Sequence, residues 1–446
     1  MGKLFGTDGA RGIANTELTC DIAFKLGQAA VEFLGKTVVV GKDTRLSGDM
    51  LECALNAGIM SKGGTVLAAG IIPTPGVAYL TRELSAAGGV VISASHNPPE
   101  YNGIKFFDAQ GFKLPDATEA ALESFVEAGG STPDGLPAGD EVGVVVPVEN
   151  ACELYIEHAV SLMREEGISF DSYRIALDAG HGAAALTTAR ALEALGAEVI
   201  AINDDFTGLD INVACGSTHL EPLKKLVADT GAHIGIAHDG DADRVMFVDE
   251  KGCEIDGDVV EAVCAIDLKN RGCLSGDTVV STVMCNLGFT KAMNDAAIDV
   301  IQTQVGDRYV LEQLRKGGYV LGGEQSGHMI FLEHNTTGDG LITACQFLAA
   351  CLRKGGSVSE VASVMQRFPQ ELINVPVGDK HALDENETVA QAVAQAAEKM
   401  GESGRILVRP SGTEPLVRVM VEAPTHEQAR LVAEQVARVI EEELGA

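Results

Sequence analysis

The densest group of residues that could do chemistry is the loop Asp239-Gly240-Asp241-Ala242-Asp243-Arg244. Three carboxylates at alternate positions of a tight loop can converge on one hard cation and leave positions open for a phosphate oxygen. An EF-hand is excluded, because Arg244 stands where that motif needs a glycine. An acidic surface turn is the alternative, but the arginine and the apolar strands on both sides favour a metal site.

A second loop, Ser93-Ala94-Ser95-His96-Asn97-Pro98, follows a β-branched run. It does not match the G-x-S-x-G nucleophile elbow. Neighbouring side chains of an extended chain point apart, so we do not expect Ser95 and His96 to form a Ser–His pair. Ser95 is therefore better suited to carrying a phosphoryl group than to attacking an ester. Taken alone, however, this loop is explained more simply as a polar turn ending in Asn-Pro.

Three more loops have the composition of oxyanion or sugar sites. Arg409-Pro410-Ser411-Gly412-Thr413-Glu414, followed by Arg418, combines guanidinium groups, hydroxyls and a close backbone approach, which suits a phosphate dianion. Gly323-Glu324-Gln325-Ser326-Gly327-His328 offers a carboxylate and a hydroxyl to a sugar, although a structural turn explains it equally well. The glycine-rich residues 6–12 give a weaker signal, and Lys105 is either a general acid/base or a solvated cation.

The elements that position these loops follow one recurring pattern. A short β-branched run precedes a polar glycine-rich loop and then a helical stretch, which predicts α/β units with substantially parallel sheets. Ligands of such sheets lie at the carboxyl ends of the strands, where the loops are. The predicted strands are residues 37–40, 89–92, 174–177, 233–237, 278–280 and one starting over 318–321.

The length of 446 residues exceeds one ordinary domain. We predict an α/β domain at 1–150, which carries the serine loop, and a second at 151–250, which carries the acidic loop. A third, at 251–368, carries the sugar-type loop. A smaller α+β domain at 369–446 carries the phosphate-type loop, a strand at 405–408 and a final amphipathic helix. Residues 129–147, rich in Gly, Pro and Asp, are predicted to be a linker.

Charge and composition exclude several classes of protein. The net charge of −31 disfavours nucleic acid and anionic membranes as partners. The sequence contains no apolar run of about 18 residues, so it predicts no membrane span. The first residues have no apolar signal core. We therefore expect a cytoplasmic protein. The ten cysteines include no C-x-x-C pair, which argues against a zinc ribbon or a disulfide framework.

In this order the loops resemble those of the α-D-phosphohexomutase superfamily over essentially the whole chain, most closely its glucosamine-phosphate branch. That family has four domains around a central cleft, the first three with similar α/β sheets and the last smaller and α+β. The segments that carry the resemblance are Phe5-Gly6-Thr7-Asp8-Gly9, Ile92-Ser93-Ala94-Ser95-His96-Asn97-Pro98, Asn102-Gly103-Ile104-Lys105-Phe106-Phe107, Val305-Gly306-Asp307-Arg308-Tyr309, Thr336-Thr337-Gly338-Asp339-Gly340 and residues 411–420.

The resemblance implies a role for each candidate residue. Ser95 is expected to be the phosphoserine and to share Mg²⁺ with Asp239, Asp241 and Asp243. The groups expected around the reacting phosphate are Arg11, His96, Lys105 and Arg244. The groups expected to bind the sugar and the non-reacting phosphate are Glu324, Ser326, His328, Arg308, Arg409, Ser411, Gly412, Thr413 and Arg418.

The implied reaction interconverts glucosamine 6-phosphate and glucosamine 1-phosphate through a bisphosphate, for UDP-N-acetylglucosamine and cell-wall precursor synthesis. A sugar 1,6-bisphosphate would prime Ser95, the partner would be a small phosphosugar, and the chain could form a homodimer. The alternatives are a phosphoglucomutase or phosphomannomutase, a metal-dependent phosphomonoesterase and a non-catalytic phosphosugar-binding protein.

The chain departs from the family pattern at Ala10, Ala242 and Pro410. Ala242 replaces the usual second glycine of the metal loop. We expect the site to tolerate this alanine if its backbone does not need a positive φ.

Overall fold

The computed structural model describes residues 4–6, 9–132, 135–411 and 415–445. Its helices are α1 (Cys20–Phe33), α2 (Gly48–Ser61), α3 (Thr74–Glu83), α4 (Asp116–Glu127), α5 (Ala151–Glu165), α6 (Thr188–Ala194), α7 (Glu221–Thr230), α8 (Gly257–Asn270), α9 (Leu287–Asp295), α10 (Asp307–Gly317), α11 (Gly340–Lys354), α12 (Val358–Ala362), α13 (Glu387–Met400) and α14 (His426–Leu444).

Its strands are β1 (Ala10–Ile13), β2 (Thr37–Lys42), β3 (Thr65–Ile71), β4 (Gly88–Ile92), β5 (Tyr101–Asp108), β6 (Val145–Pro147), β7 (Arg174–Asp178), β8 (Glu198–Ile202), β9 (Ile234–His238), β10 (Val245–Asp249), β11 (Glu254–Ile255), β12 (Thr278–Thr282), β13 (Asp299–Thr303), β14 (Leu321–Gly323), β15 (Met329–Phe331), β16 (Gln370–Pro376), β17 (Arg405–Pro410) and β18 (Leu416–Glu422).

Three mixed sheets follow one another along the chain. The first has the order β1-β5-β4-β2-β3-β6, the second β11-β10-β9-β7-β8 and the third β13-β12-β14-β15. The pairs among β4, β2, β3 and β6 are parallel, as are those among β9, β7 and β8 and those among β13, β12 and β14. The remaining pairs are antiparallel. The predicted α/β class is confirmed, with antiparallel strands added at the edges.

The chain divides into two compact units, Met1–Met284 with Ala297–Val364, and Cys285–Ala296 with Met365–Ala446. The second unit contains a small antiparallel sheet, β16-β18-β17, with α13 and α14 packed on it. This arrangement confirms the smaller α+β domain. The predicted central cleft and the four domain boundaries stay predictions.

The strands that lead into the candidate loops are buried on both faces. Every residue of β4 and of β9 is buried, as expected for inner strands covered by helices. Rigid strands of this kind fix the start of the loops that follow them. The serine loop and the acidic loop therefore begin from fully buried inner strands of their sheets.

One local prediction is confirmed and one was wrong. The strand expected to start over 318–321 starts at Leu321, the last of these residues, because Gly318 ends α10 in the left-handed conformation, with φ 66°. The predicted linker ends in β6, which adds a parallel strand to the edge of the first sheet beside β3. No helix of the described residues is long and apolar enough to cross a membrane.

Candidate active site

The acidic loop joins β9 to β10, which pair as an antiparallel hairpin. Asp239, Asp241 and Asp243 are all buried. One carboxylate oxygen from each lies within 4.8 Å of the other two. The hairpin therefore brings the three carboxylates together, as alternate positions in a tight loop predict.

Some carboxylate oxygens of this cluster accept hydrogen bonds from the protein, and others have no partner among the described residues. Asp241 Oδ2 accepts from Thr74 Oγ1 at 2.6 Å and from Lys105 Nζ at 2.9 Å. Asp241 Oδ1 and Asp243 Oδ1 are buried and have no hydrogen-bond partner among the described residues. Converging, unsatisfied carboxylate oxygens are the donor set that a hard divalent cation prefers, so the residues present fit a metal.

The electrostatics of the cluster agree with this interpretation. Burial, followed by the charges of Asp243 and Asp241, raises the pKa of Asp239 well above its ordinary value. Burial also acts to raise the pKa of Asp243, but Lys105 and His328 hold it well below the ordinary value. Like charges this close disfavour each other's ionised form, and a bound cation would relieve that repulsion.

The sequence predicts that Ala242 is tolerated if its backbone needs no positive φ, and the structure does not meet this condition. Its φ is 53°, in the left-handed region, which costs a residue with a Cβ about 1–2 kcal/mol. The carboxylates on both sides converge nevertheless. The loop therefore keeps its shape with an alanine at a position that favours glycine.

Ser95 lies in the loop after β4, and its hydroxyl points at the acidic cluster. Ser95 Oγ donates to Asp239 Oδ2 at 2.5 Å. It also lies 3.3 Å from His96 Nδ1, so the expectation that the two neighbours point apart was wrong. The reason is that Ser95 is not extended: its φ is 52°, which turns the two side chains towards the same side.

Basic groups lie around the serine loop and the acidic cluster. Lys105 on β5 is buried and lies 2.9 Å from Asp241 Oδ2 and 3.6 Å from Asp243 Oδ2, so it is not a solvated cation. Arg11 lies on β1, opposite Gly103 of β5. Burial, then Arg244 and Arg11, lowers the pKa of His96 to about 4. His96 is therefore neutral near pH 7.

The sugar-type loop is the tight turn between β14 and β15. Gly327 O accepts from the N–H of Val245, the first residue of β10, at 3.1 Å. Glu324 Oε1 accepts from Gly306 N at 3.1 Å, and Ser326 is exposed. The structure thus attaches this turn to the strand that follows the acidic loop.

His328 and Arg308, two further residues of the predicted substrate set, also have protein partners in the structure. His328 is buried, with Nδ1 3.7 Å from Asp243 Oδ2 and Nε2 accepting from Gly338 N at 3.2 Å. Arg308 forms ion pairs with Asp116 and, at 2.6 Å, with Glu119, both on α4. His328 therefore lies against the acidic cluster, and Arg308 against α4.

The phosphate-type loop belongs to the second unit. Arg409 on β17 pairs directly with Arg418 on β18. Ser411 Oγ lies 3.5 Å from Arg418 Nη2, and burial together with Arg418 lowers the pKa of Arg409. Two guanidinium groups held side by side offer a site for an anion. The predicted Gly412 and Thr413 lie outside the described residues.

Four residues that surround the serine and acidic loops were missed in the sequence. Asp43 and Arg45 follow β2, Thr74 begins α3, and Asn212 donates to Ser95 O at 2.9 Å. β2 is the parallel neighbour of β4, so its carboxyl end lies at the same sheet edge as the serine loop. Applying the strand-end rule to β2 would have pointed to Asp43 and Arg45.

Comparison with known proteins covers nearly all of the chain. The phosphoglucomutase/phosphomannomutase family models for α/β/α domains I, II and III match residues 2–132, 153–252 and 256–368, and that for the C-terminal domain matches residues 372–439. The phosphoglucosamine mutase of Carboxydothermus hydrogenoformans is 51% identical over 446 residues, which is 99% of this chain and 100% of that protein.

Solved structures share the fold. A phosphoglucomutase/phosphomannomutase family protein from Burkholderia thailandensis has a TM-score of 0.81 at 24% identity, with 98% of this chain and 97% of that one covered. Aspergillus fumigatus N-acetylphosphoglucosamine mutase, solved with GlcNAc-6P and magnesium, has a TM-score of 0.71 at 17% identity, with 98% and 95% covered. The chain therefore belongs to the phosphoglucosamine mutase family of phosphosugar mutases.

Proposed function

We propose that this enzyme interconverts glucosamine 6-phosphate and glucosamine 1-phosphate through a phosphoserine at Ser95 and a bisphosphate intermediate. The observation that carries the proposal is the 2.5 Å contact between Ser95 Oγ and Asp239 Oδ2 within the buried carboxylate cluster. A hydroxyl placed against three carboxylates is positioned to carry a phosphoryl group next to a divalent cation. The 51% identity to a phosphoglucosamine mutase supports the choice of sugar.

The reaction is two phosphoryl transfers in opposite directions. In the first, the Oγ–P bond of phosphorylated Ser95 breaks as a P–O bond forms to the free hydroxyl of the sugar monophosphate. The hydroxyl proton leaves the sugar, and Ser95 Oγ takes up a proton. In the second, the other phosphate of the bisphosphate returns to Ser95, and the protons move in the reverse sense. A sugar 1,6-bisphosphate can prime a dephosphorylated enzyme by this second step.

Proton transfer needs a group within reach of Ser95 Oγ. His96 Nδ1 is 3.3 Å away and neutral, so it can accept a proton. Lys105, whose ammonium lies against Asp241 and Asp243, is the second candidate. Arg11 and Arg244 add positive charge near the transferring group.

We assign Mg²⁺ to Asp239, Asp241 and Asp243 together with a phosphoserine oxygen. The unsatisfied Oδ1 atoms of Asp241 and Asp243 support the assignment, as does the magnesium in the solved fungal relative. When bound, the cation supplies charge neutralisation for the phosphoryl oxygens. We further propose that Glu324 and Ser326, with His328 and Arg308, bind the sugar.

Arg409, Ser411, Gly412, Thr413 and Arg418 are proposed to bind the phosphate that does not react. Such a site has a purpose only if the enzyme must hold a bisphosphate in two orientations. A phosphomonoesterase has little use for it, and a non-catalytic binding protein would have no need of Ser95 and the carboxylates. The adjacent guanidinium groups of Arg409 and Arg418 support this assignment.

The experiment is turnover of bisphosphate-primed enzyme with Mg²⁺ on glucosamine, glucose and mannose 6-phosphates in parallel. We expect a preference for glucosamine 6-phosphate without release of inorganic phosphate. Preference for glucose or mannose phosphate would make the enzyme a phosphoglucomutase or phosphomannomutase. Steady release of phosphate would replace the mutase by a phosphomonoesterase.

Arg418→Gln separates the mutase from the phosphatase further. We expect it to raise KM for the sugar phosphate at least about tenfold, because a charge-assisted contact contributes roughly 1.5–3 kcal/mol. Arg430→Gln is the matched control, since Arg430 is exposed on α14 and lies 3.9 Å from Glu434. An unchanged KM in R418Q would remove the loop from the proposed site.

A further inference from the structure

We infer that Arg45 is a positioning residue that holds the peptide unit of Ser95 in the conformation from which its hydroxyl reaches Asp239. The inference builds on the proposed function, because it concerns how the phosphoryl-carrying serine is presented. Arg45 lies just beyond β2, and within the described part of the chain its hydrogen bonds go to Asp43 and to residues 95–101 rather than to the acidic cluster. Its role would be exerted entirely through the serine loop.

The guanidinium of Arg45 is wholly buried and donates hydrogen bonds to backbone carbonyl groups of the serine loop. Nη2 donates to Ser95 O at 2.9 Å and to Asn97 O at 2.8 Å. Nη1 donates to Pro98 O at 2.5 Å and to Tyr101 O at 3.0 Å. One side chain therefore satisfies four carbonyl groups of a seven-residue segment, residues 95–101.

Arg45 also reaches the amide side of Ser95 through two intermediates. Its Nε donates to Asp43 Oδ2 at 2.9 Å. The same oxygen accepts from Ser93 Oγ at 2.6 Å, and Ser93 Oγ accepts from Ser95 N at 2.9 Å. The N–H and the C=O of Ser95 are thus both tied to one guanidinium, the first through Asp43 and Ser93 and the second directly.

This double attachment matters because Ser95 holds an unfavourable backbone conformation. Its φ of 52° is one that residues with a Cβ rarely adopt, and such conformations persist only where the surroundings determine them. Four carbonyl dipoles that point at one spot would also repel each other without a cation between them. A lysine has one nitrogen and cannot span both carbonyl pairs, whereas the planar fork of an arginine can.

Arg45 should therefore affect the chemical step more than substrate binding. A relaxed Ser95 would move its hydroxyl from Asp239, and a misplacement of about 1 Å in a reacting group can cost about 100-fold in rate. The groups proposed to bind the sugar and its second phosphate lie on other loops. A loss of kcat with little change in KM is therefore the signature of this role.

The experiment compares wild type with Arg45→Lys and Arg45→Ala in the full-length enzyme. Purified protein is incubated with glucose 1,6-bisphosphate and Mg²⁺, and the phosphorylated fraction at Ser95 is followed by intact-protein mass spectrometry. Turnover of glucosamine 6-phosphate is measured in parallel. We expect R45K to load Ser95 at least about tenfold more slowly and to lose about 100-fold in kcat, with KM changed less than about threefold. Added guanidinium should restore part of the loading in R45A.

The matched control is Arg353→Lys. Arg353 also forms close ion pairs, with Asp267 on α8 and with Glu166 directly after α5. Among the described residues, none of its hydrogen bonds or ion pairs reaches the serine loop. R353K should become phosphorylated at Ser95 and turn over glucosamine 6-phosphate at the rates of wild type. This control separates a general loss of ion pairing from a specific effect on Ser95.

Wild-type loading and kcat in R45K would overturn the inference. If both Arg45 variants fail to fold by circular dichroism, Ser93→Ala decides, because it cuts the link between Asp43 and the Ser95 amide. Slower loading in S93A would support the inference, and unchanged loading would overturn it. Wild type that never becomes phosphorylated would instead contradict the proposed function, so the two failures are distinguishable.

Discussion

The hydroxyl of Thr74 donates to Asp241 Oδ2 at 2.6 Å, although 167 residues separate the two in the chain. Lys105 Nζ binds the same oxygen at 2.9 Å, so Oδ2 is occupied and Oδ1 is left unsatisfied. The protein thus determines which oxygen of Asp241 faces the proposed cation. Thr74 and Lys105 orient the Asp241 carboxylate before any metal binds. Hydrogen-bond partners of metal ligands act in the same way at other metal sites.

Thr74→Val should weaken Mg²⁺ binding about tenfold or more, the usual cost of losing such a partner. Calorimetric titration of the enzyme with MgCl₂ measures this directly. Thr81→Val is the control on the same helix, because the buried Thr81 hydroxyl donates to Val77 O at 2.8 Å and does not contact the cluster. Equal affinities in T74V, T81V and wild type would show that the Thr74 hydroxyl does not orient Asp241.

Asp239→Asn should stabilise the metal-free enzyme and remove its response to Mg²⁺. Burial and the neighbouring carboxylates raise the pKa of Asp239, so its native state becomes less favourable as the pH rises above the ordinary value of 3.8. The substitution removes that cost, so we expect D239N in EDTA to unfold at a higher urea concentration than wild type near pH 7. For wild type, MgCl₂ at 100 times Kd should add about 2.7 kcal/mol.

Urea unfolding in EDTA and in MgCl₂ tests both parts of this prediction. The control is Asp229→Asn, because Asp229 is exposed near the end of α7 and, among the described residues, forms an ion pair only with Lys225. D229N should respond to Mg²⁺ as wild type does. An undiminished Mg²⁺ response in D239N would mean that the cation binds elsewhere.

Ala242→Gly should raise the free energy of unfolding by about 0.5–1 kcal/mol. The φ of 53° at this position costs an alanine about 1–2 kcal/mol, and the greater freedom of glycine in the unfolded chain offsets part of the gain. Chemical denaturation with EDTA present isolates the backbone effect from metal binding.

Ala184→Gly is the control in the same small cluster, at a position where no positive φ favours glycine. Ala184 packs with Ala242 but lies in the short 3₁₀ helix Ala183–Leu186 and is not among the residues with positive φ. We expect A184G to lower stability. If A242G lowers it too, the packing of the Ala242 methyl group outweighs the backbone strain.

The sequence predicted two loops that the structure brings together, because the fold places loops by a general rule. Ser95 and Asp239 follow strands β4 and β9, and ligands of α/β sheets bind at the ends of such strands. The same rule, applied to β2, would have found Arg45. The loop after β2 lies at the same sheet edge as the serine loop, because β2 is the parallel neighbour of β4.

The finer geometry could not be predicted because it depends on local conformations that composition does not reveal. Nothing in Ser95-His96 indicates that the serine has a positive φ, and this conformation is what brings His96 within 3.3 Å of its hydroxyl. From the sequence alone Lys105 could be a solvated surface cation, yet tertiary packing buries it against Asp241. Likewise β6, whose residues are all exposed, lies in a segment with the composition of a linker.

Glu261 on α8 provides a pH-dependent prediction away from the acidic loop. The residue is fully buried, and neither Oε atom has a hydrogen bond of good geometry among the described residues, although the nearby Ser281 hydroxyl partly stabilises the carboxylate. Burial, followed by the charge of Asp258, raises the pKa of Glu261 well above the ordinary value of 4.5. The native state therefore keeps a proton that the unfolded chain loses, so the contribution of Glu261 to stability falls as the pH rises above 4.5.

Glu261→Gln keeps the shape of the side chain and removes this pH dependence. Relative to wild type, we expect E261Q to gain stability between pH 5 and pH 8, by at most about 1.4 kcal/mol per pH unit. Urea unfolding at several pH values measures the difference, and Glu312→Gln, at an exposed position of α10, is the control that should follow wild type. If the curves of E261Q and wild type run parallel, Glu261 is ionised in the native state and an unidentified group compensates its charge.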